Sequence, residues 1–364
     1  MEVTLVDQTE NPVMTLEEVI ADCPKDSIIG DNLIRAYSKI NNAKYQKIVC
    51  SVSGGADSDI VVDICTKMDN NKKITYVWFD TGLEYNATKE HLKYLEEKYG
   101  IDIKVEKALK PIPTSCKKYG QPFISKNVSE MISRLQKHKF NWEDRPFEEL
   151  YKEYPNCKSA LEWWCNKKKS KKMCISQNKW LKEFLIENPP KIKISNKCCT
   201  YAKKGLAHKI VQEGLYDLEI TGIRKAEGGI RSTAYKSCFD QSYENCDRYR
   251  PIFWYLNDTK VVYQDYYEVI HSKCYTEYGL KRTGCAGCPF GRDFEFELDA
   301  IQQHEPNLYN AVNNIFGESY EYTRQYKTFY KARDKLVDYK LQFMLVPKCK
   351  SGRIICNDKY RKCE

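Results

Sequence analysis

Six consecutive residues, Ser53-Gly54-Gly55-Ala56-Asp57-Ser58, have the makeup of an anion-binding turn. Two glycines let the backbone approach a phosphate closely, and the hydroxyls of Ser53 and Ser58 add donors. A helix starting here would present its unpaired first-turn N–H groups and the positive end of its dipole. No lysine completes a Gly-x-x-x-x-Gly-Lys-Ser/Thr loop, which argues against a γ-phosphate-transferring NTPase. The second group of reactive residues is thiol: the adjacent pair Cys198-Cys199 and the run Cys285-Ala286-Gly287-Cys288-Pro289. Four thiolates from two pairs could hold an iron–sulfur cluster, and soft thiolate ligation also fits zinc. Four unrelated buried thiols are the plainer alternative. A third stretch, Thr221 to Ser232, is Gly-rich and carries Arg224, Lys225 and Arg231. Arginine's planar fork suits phosphate or sulfate, so a clamp is expected here, against the simpler possibility of a basic surface loop.

The elements that must position these residues read as alternating strands and helices. Lys47 to Val52 is a short apolar run of strand length, and Ile60, Ile64 and Met68 recur at a helical interval after the Ser-Gly-Gly turn. Ile74 to Phe79 is a second strand, followed at once by Asp80-Thr81-Gly82. A helix runs through Leu92, Leu95 and Tyr99 and closes on Gly100, and Ile101 to Val105 is a third strand. This alternation predicts an α/β fold: a Rossmann-like parallel sheet with helices on both faces. In such sheets ligands bind beyond the carboxyl ends of the strands, so the 53–58 loop and Asp80-Thr81-Gly82 are expected to converge on one nucleotide. Helix capping is the alternative role for Asp80.

The organisation expected along the chain is a helical segment 1–43, a nucleotide-binding half 44–110, an insertion 111–195, a second α/β half with a helical extension 196–345, and a mobile polar tail 346–364. The N-terminal helices serve as cover for the sheet or as a partner contact. The insertion holds Trp142, Trp163, Trp164, Trp180 and the run Lys167-Lys168-Lys169-Ser170-Lys171-Lys172. Lysine with interleaved aromatics suits a nucleic acid, and a solvated lysine face over a tryptophan core is the equal alternative. Tyr309, Tyr320, Tyr322, Tyr326 and Tyr330 recur mostly at helical spacing, which predicts core packing. The 364 residues suffice for one large domain or two modest ones, and the net charge of +9 agrees with a polyanionic partner. Seventeen cysteines without a secretory signal pattern point to metal or redox chemistry in the cytoplasm rather than to disulfides. No apolar run approaches the eighteen or so residues of a membrane span, so no membrane partner is expected.

The hexapeptide resembles the pyrophosphatase loop of enzymes that act on adenine nucleotides at the α-phosphate. The series of Ser53-Gly54-Gly55-Ala56-Asp57-Ser58, Asp80-Thr81-Gly82-Leu83-Glu84, Cys198-Cys199, Gly222-Ile223-Arg224 with Arg231, Arg250-Pro251-Ile252-Phe253-Trp254 and Arg282-Thr283-Gly284-Cys285-Ala286-Gly287-Cys288 resembles the phosphoadenosine phosphosulfate (PAPS) reductase superfamily. In particular it is similar to the cluster-containing branch: adenylyl-sulfate reductases and the DndC-type proteins of DNA phosphorothioation. The resemblance covers roughly residues 44–110 and 196–292. It implies an adenine nucleotide α-hydrolase-like fold and a 4Fe–4S cluster on Cys198, Cys199, Cys285 and Cys288. It further implies that Ser53, Gly54, Gly55, Asp57, Ser58, Asp80, Thr81 and Gly82 bind ATP or adenylyl sulfate with Mg²⁺, and that Asp57, Arg224 and Arg231 serve catalysis.

The reductases carry a near-terminal cysteine in a Glu-Cys-Gly-x-His context, whereas this chain ends Tyr360-Arg361-Lys362-Cys363-Glu364. Cys363 is therefore a nucleophile only under a reductase reading. The departure favours ATP-dependent sulfur transfer to a nucleic acid, DNA or tRNA, with a sulfur donor such as a cysteine desulfurase and with oligomerisation open. Reduction of adenylyl sulfate to sulfite and a non-catalytic nucleotide-binding subunit are the alternatives.

Overall fold

A computed structural model of the chain describes residues 13–228, 234–241 and 246–344, with side chains to 337. The first twelve residues and the tail 346–364 lie outside the described residues. The chain divides into two compact units, one of Met1–Tyr119 with Lys197–Ile315, the other of Gly120–Asn196 with Phe316–Glu364.

The first unit is built on a six-stranded sheet of order β3-β2-β1-β4-β6-β5, with β1 Ile48–Val52, β2 Ile74–Asp80, β3 Ile103–Lys107, β4 Leu218–Thr221, β5 Phe239–Asp240 and β6 Asp247–Tyr249. All pairings are parallel except β5 with β6. β1 is paired on both edges, Ile48 aligning with Ile74 on one side and Leu218 on the other, and Ile48, Val49, Cys50 and Val52 are buried on its two faces. Helices α3 (Ala56–Met68) and α4 (Asn86–Tyr99) follow β1 and β2. The αL conformation that ends α4 falls on Gly100 (φ +60°), where the sequence places it. The two-residue antiparallel β5 has no counterpart in the sequence reading.

The N-terminal helices α1 (Leu16–Ala21) and α2 (Ser27–Ile40) start on side-chain caps, Thr15 in a reciprocal box with Glu18 and Asp26 accepting from Ile28 and Ile29. Ile29, Leu33, Ala36 and Ile40 of α2 are fully buried in the same core as β1 and α3, so this helix covers the sheet.

The second unit is helical. Its core joins Phe123, Ile132, Leu135, Leu161 and Phe184 to Trp163, Trp164 and Tyr322. Trp163 and Trp164 are fully buried, Trp142 packs edge-on against Phe140 and Trp164, and the Trp180 indole donates to Asp334 at 2.8 Å. These tryptophans are consumed by packing and hydrogen bonding, so the nucleic-acid reading of the insertion loses its stacking half and keeps only its lysines. Tyr320 and Tyr322 are buried, and Tyr322 and Tyr326 donate to the carbonyls of Asn188 and Lys179, as core packing requires, whereas Tyr330 of the expected series is exposed. No helix among the described residues is long and apolar enough to cross a membrane.

Candidate functional site

The chain reverses its direction of travel across the sheet at β1 and β4, which are neighbours in space and far apart in sequence. Crevices at such switch points are where open α/β sheets bind ligands. Ser53 closes the β1 loop by donating its N–H to Ser58 Oγ at 2.9 Å, Gly54 adopts φ +63°, and Gly55 opens α3. The backbone after β4 lies directly against it: a Cβ on Gly222 would sit 3.1 Å from the Asp57 carbonyl oxygen. Glycine is needed at both positions, at Gly54 for conformation and at Gly222 for closeness.

Together these loops floor a cavity of about 280 Å³ whose walls include Lys260, Tyr275, Lys281, Arg282 and Thr283. Asp57 is clasped by two cations, Arg224 Nε at 2.9 Å from one carboxylate oxygen and Lys260 Nζ at 2.9 Å from the other. Arg224 is itself buried and also donates to Asn257 Oδ1 at 3.1 Å and to the Tyr255 carbonyl. Arg282 stands 3.6 Å from Glu227. Four cations against the two carboxylates Asp57 and Glu227 leave the cavity with an excess of positive charge beside a helix N-terminus, the electrostatics of a polyphosphate site. Asp57 acts here as the anchor that aims Arg224 and Lys260.

Two buried acids of α3 hold that helix in place. Asp59 meets His91 at 3.0 Å and His271 at 2.7 Å, and Asp63 accepts from Tyr99, Tyr263 and Lys67 at 3.0, 2.7 and 2.8 Å. Helix α4 has no side-chain cap of its own, and Glu305 supplies one by accepting from the N–H groups of Asn86 and Ala87.

Asp80, Thr81 and Gly82 do not line this cavity. Asp80 Oδ1 accepts from the Gly82 N–H at 2.8 Å, a local turn. Thr81 is buried, donates to Glu84 at 2.5 Å and lies 3.7 Å from Cys285 Sγ. The loop thus faces the thiols.

Cys198 and Cys199 lie on the short helix Lys197–Cys199, which continues as a π-helical turn, Thr200–Lys204. The CxxC loop turns at Gly287 (φ +59°) and is tied to the β2 loop by the Ala286 N–H donating to the Leu83 carbonyl at 3.1 Å. Cys198 interacts with Cys288, and Cys199 with both Cys285 and Cys288, so the two pairs form one neighbourhood. A fifth thiol, Cys116, hydrogen-bonds Cys198 and pushes it well up, and burial does the same to Cys285 and Cys288. Desolvation pulls the Lys203 ammonium down, but Cys285 and Glu84 outweigh it and hold the group above its ordinary value. Burial thus favours the neutral form of these thiols, and ligation by a soft metal would have to remove their protons. Among the described residues no three His, Cys, Asp or Glu side chains close on a single ion position.

The residues that sequence reasoning missed are Lys260, Tyr275 and Cys116. The first two reach the loop from remote helices without a motif, and Cys116 stands alone in sequence. Arg282 and Thr283 had a signal, their place directly before Gly284 and the CxxC run. Arg231 and Cys363 lie outside the described residues.

No curated protein sequence matches the chain significantly. Among solved structures the chain is similar to the phosphoadenylyl-sulfate reductase of Candida auris in a phosphate complex, with 11% identity and TM-score 0.38 over 75% of this chain and 96% of that one. It is also similar to the U34-tRNA thiolase NcsA of Methanococcus maripaludis with its 4Fe–4S cluster, with 13% identity and TM-score 0.35 over 84% and 79% of the two chains. A third is the NH3-dependent NAD synthetase of Campylobacter jejuni, with 11% identity and TM-score 0.36 over 86% and 94%. At these values the structural likenesses carry no functional argument. The family model that matches is that of the phosphoadenosine phosphosulfate reductase domain, over residues 47–158, which include the Ser-Gly-Gly loop, α3 and the Asp80-Thr81-Gly82 turn. Over residues 47–158 the chain is therefore similar to the phosphoadenosine phosphosulfate reductase domain.

Proposed function

We propose that the protein binds ATP, cleaves it at the α-phosphate to adenylylate an acceptor on a nucleic acid, and replaces the adenylate with sulfur. The observation that carries this reading is the cationic cavity over the 53–58 loop, whose wall residue Thr283 precedes Cys285 by two positions. Two residues span at most about 7 Å, so nucleotide and thiols share one reaction space.

In this reading Ser53, Gly54, Gly55, Ser58 and the first-turn amides of α3 hold the phosphates, accompanied by Mg²⁺. An acceptor oxygen attacks the α-phosphorus, the bond to the bridging oxygen breaks, and pyrophosphate leaves. Arg224, Lys260 and Arg282 neutralise charge on the α-phosphate and the leaving group, with Asp57 fixing the first two; Arg231 shares that role on the strength of the sequence resemblance alone. Thr81 positions Cys285, and the turn of Asp80 and Gly82 holds Thr81. The outer sulfur of a persulfide carried by a donor such as a cysteine desulfurase then attacks the activated acceptor and AMP leaves; a thiol reductant cleaves the resulting S–S bond, leaving sulfur on the acceptor and a disulfide on the thiols. Cys198, Cys199, Cys285 and Cys288 would hold a 4Fe–4S cluster, which when bound would supply redox capacity or a landing point for sulfur.

The test is product analysis on protein purified without oxygen and given ATP and Mg²⁺ with and without DNA or tRNA. Pyrophosphate and AMP that depend on the nucleic acid and vanish in Asp57→Ala support the reading. ATP binding without cleavage would point instead to a nucleotide-binding subunit. The reductase domain matched over 47–158 favours a second reading, reduction of adenylyl sulfate to sulfite. Sulfite formation that Cys363→Ser abolishes, with no cleavage of ATP, would establish it.

A further inference from the structure

Helix α5 (Ile112–Tyr119) packs against the segment that carries Cys198 and Cys199, with Cys116 hydrogen-bonded to Cys198 at their junction. One turn beyond that junction each segment carries a tyrosine. Tyr119 and Tyr201 stack with ring centroids 5.2 Å apart and planes 21° apart, and both rings are half-exposed. Lys110 donates to the Tyr119 hydroxyl at 2.6 Å and lies 4.4 Å over the Tyr201 ring, and Lys118 lies 5.5 Å over Tyr119. Lys117, Lys118 and Lys204 are exposed around the pair. Neither 107–119 nor 197–205 contains an aspartate or glutamate, while the two stretches together hold seven lysines. Tyr201 belongs to the π-helical turn, an irregularity frequent at functional sites.

We propose that Tyr119 and Tyr201, with the lysines around them, form a stacking platform for an unpaired base of a single-stranded nucleic acid, placed beside the cysteine cluster. This rests on the nucleic-acid acceptor proposed above and names its contact surface. Stacked aromatics bind any base through its π-face while neighbouring cations meet the backbone phosphates. A duplex keeps its base faces covered and cannot use such a platform. Trp163 and Trp164 of the insertion, buried in their own core, do not supply one.

The test is fluorescence anisotropy of the full-length chain with labelled oligo-U, oligo-dT and a duplex, each of about twelve nucleotides, a length within the range of single-strand sites. Tyr119→Ala and Tyr201→Ala should each weaken single-strand binding about tenfold, and Tyr119→Phe and Tyr201→Phe should stay within about twofold, because the ring is what stacks. Lys117→Ala with Lys118→Ala should flatten the dependence of log affinity on log salt by about 0.7 for each phosphate that the variant no longer neutralises. Preference for oligo-U or oligo-dT would name the acceptor as RNA or DNA, and tight binding of either supports the platform. Wild-type affinity in folded alanine variants overturns it, as does an equal loss in the phenylalanine variants. No single-strand binding by the wild type, or equal competition by poly-glutamate, also overturns it. Pyrophosphate release is measured on the same samples. Nucleic-acid-dependent release lost only in Asp57→Ala, with strand binding normal in the Tyr119 and Tyr201 variants, would refute the platform and leave adenylylation standing.

Discussion

Gly54→Ala probes the geometry of the phosphate loop most directly. Gly54 sits at φ +63°, and a Cβ there would lie 2.8 Å from Thr88 Cγ2 on α4. The left-handed conformation costs a non-glycine residue about 1–2 kcal/mol. Thr88 is 2% exposed and its branched side chain is stiff on a helix, so the methyl cannot swing away, and overpacking adds about 1–3 kcal/mol. The expected loss is therefore about 2–5 kcal/mol in urea unfolding of nucleotide-free protein. Thr88→Ser removes the clashing methyl and keeps the hydroxyl, which faces Cys274 Sγ at 3.7 Å. Alone it should cost about 1 kcal/mol for the lost methyl. In the double variant only the conformational term of Gly54→Ala remains, so the two substitutions should couple by about 1–3 kcal/mol. Additivity within about 0.5 kcal/mol would refute the reasoning and show that α4 shifts as a body to admit the methyl.

Three further outcomes are expected. Asp63→Asn should lower stability by about 1–3 kcal/mol in the same assay, since one amide oxygen cannot accept from Tyr99, Tyr263 and Lys67 at once. Glu305→Ala should cost about 1–2 kcal/mol and increase amide exchange in the first turn of α4, whose N–H groups it caps. Burial, with Asp293 nearby, pushes the Glu297 carboxyl up from 4.5 to about 7. The folded state then binds the extra proton between those values, so stability is full below the lower one and falls as pH rises toward 7. Glu297→Gln should remove about 1–3 kcal/mol of that fall, read from unfolding midpoints at pH values on either side of the window, and an unchanged pH profile would count against it.

What the sequence showed and what it hid divide along a physical line. The strands at 48–52 and 74–80, the helix ending on Gly100 and the Gly-rich turn between β1 and α3 are local: side-chain period and glycine position specify them. Arg224 was legible because it stands in a Gly-rich stretch with two other cations. Lys260 was not, since nothing in Asn257–Tyr266 marks a lysine that reaches Asp57 across the fold. Glu305 caps a helix some two hundred residues earlier, and no local pattern encodes such a partner. The tryptophans were ambiguous for the opposite reason: aromatic residues among lysines look alike whether the rings stack on a ligand or on one another, and burial decides.

The place of β1 at the centre of the sheet has a consequence for synthesis of the chain. Its second neighbour, β4, is translated about 170 residues later, on the order of 10–30 s at ribosomal speed. Through that interval Ile48, Val49, Cys50 and Val52 form an apolar strand with one edge unpaired, the kind of edge that recruits foreign strands. Covering by α2, which emerges before β1 and packs in the same core, shields a face of the strand but not that edge. The nascent protein is thus most exposed to aggregation before its ligand cavity exists, when no nucleotide can rescue it, and chains stalled short of residue 218 should be chaperone clients whatever the nucleotide supply.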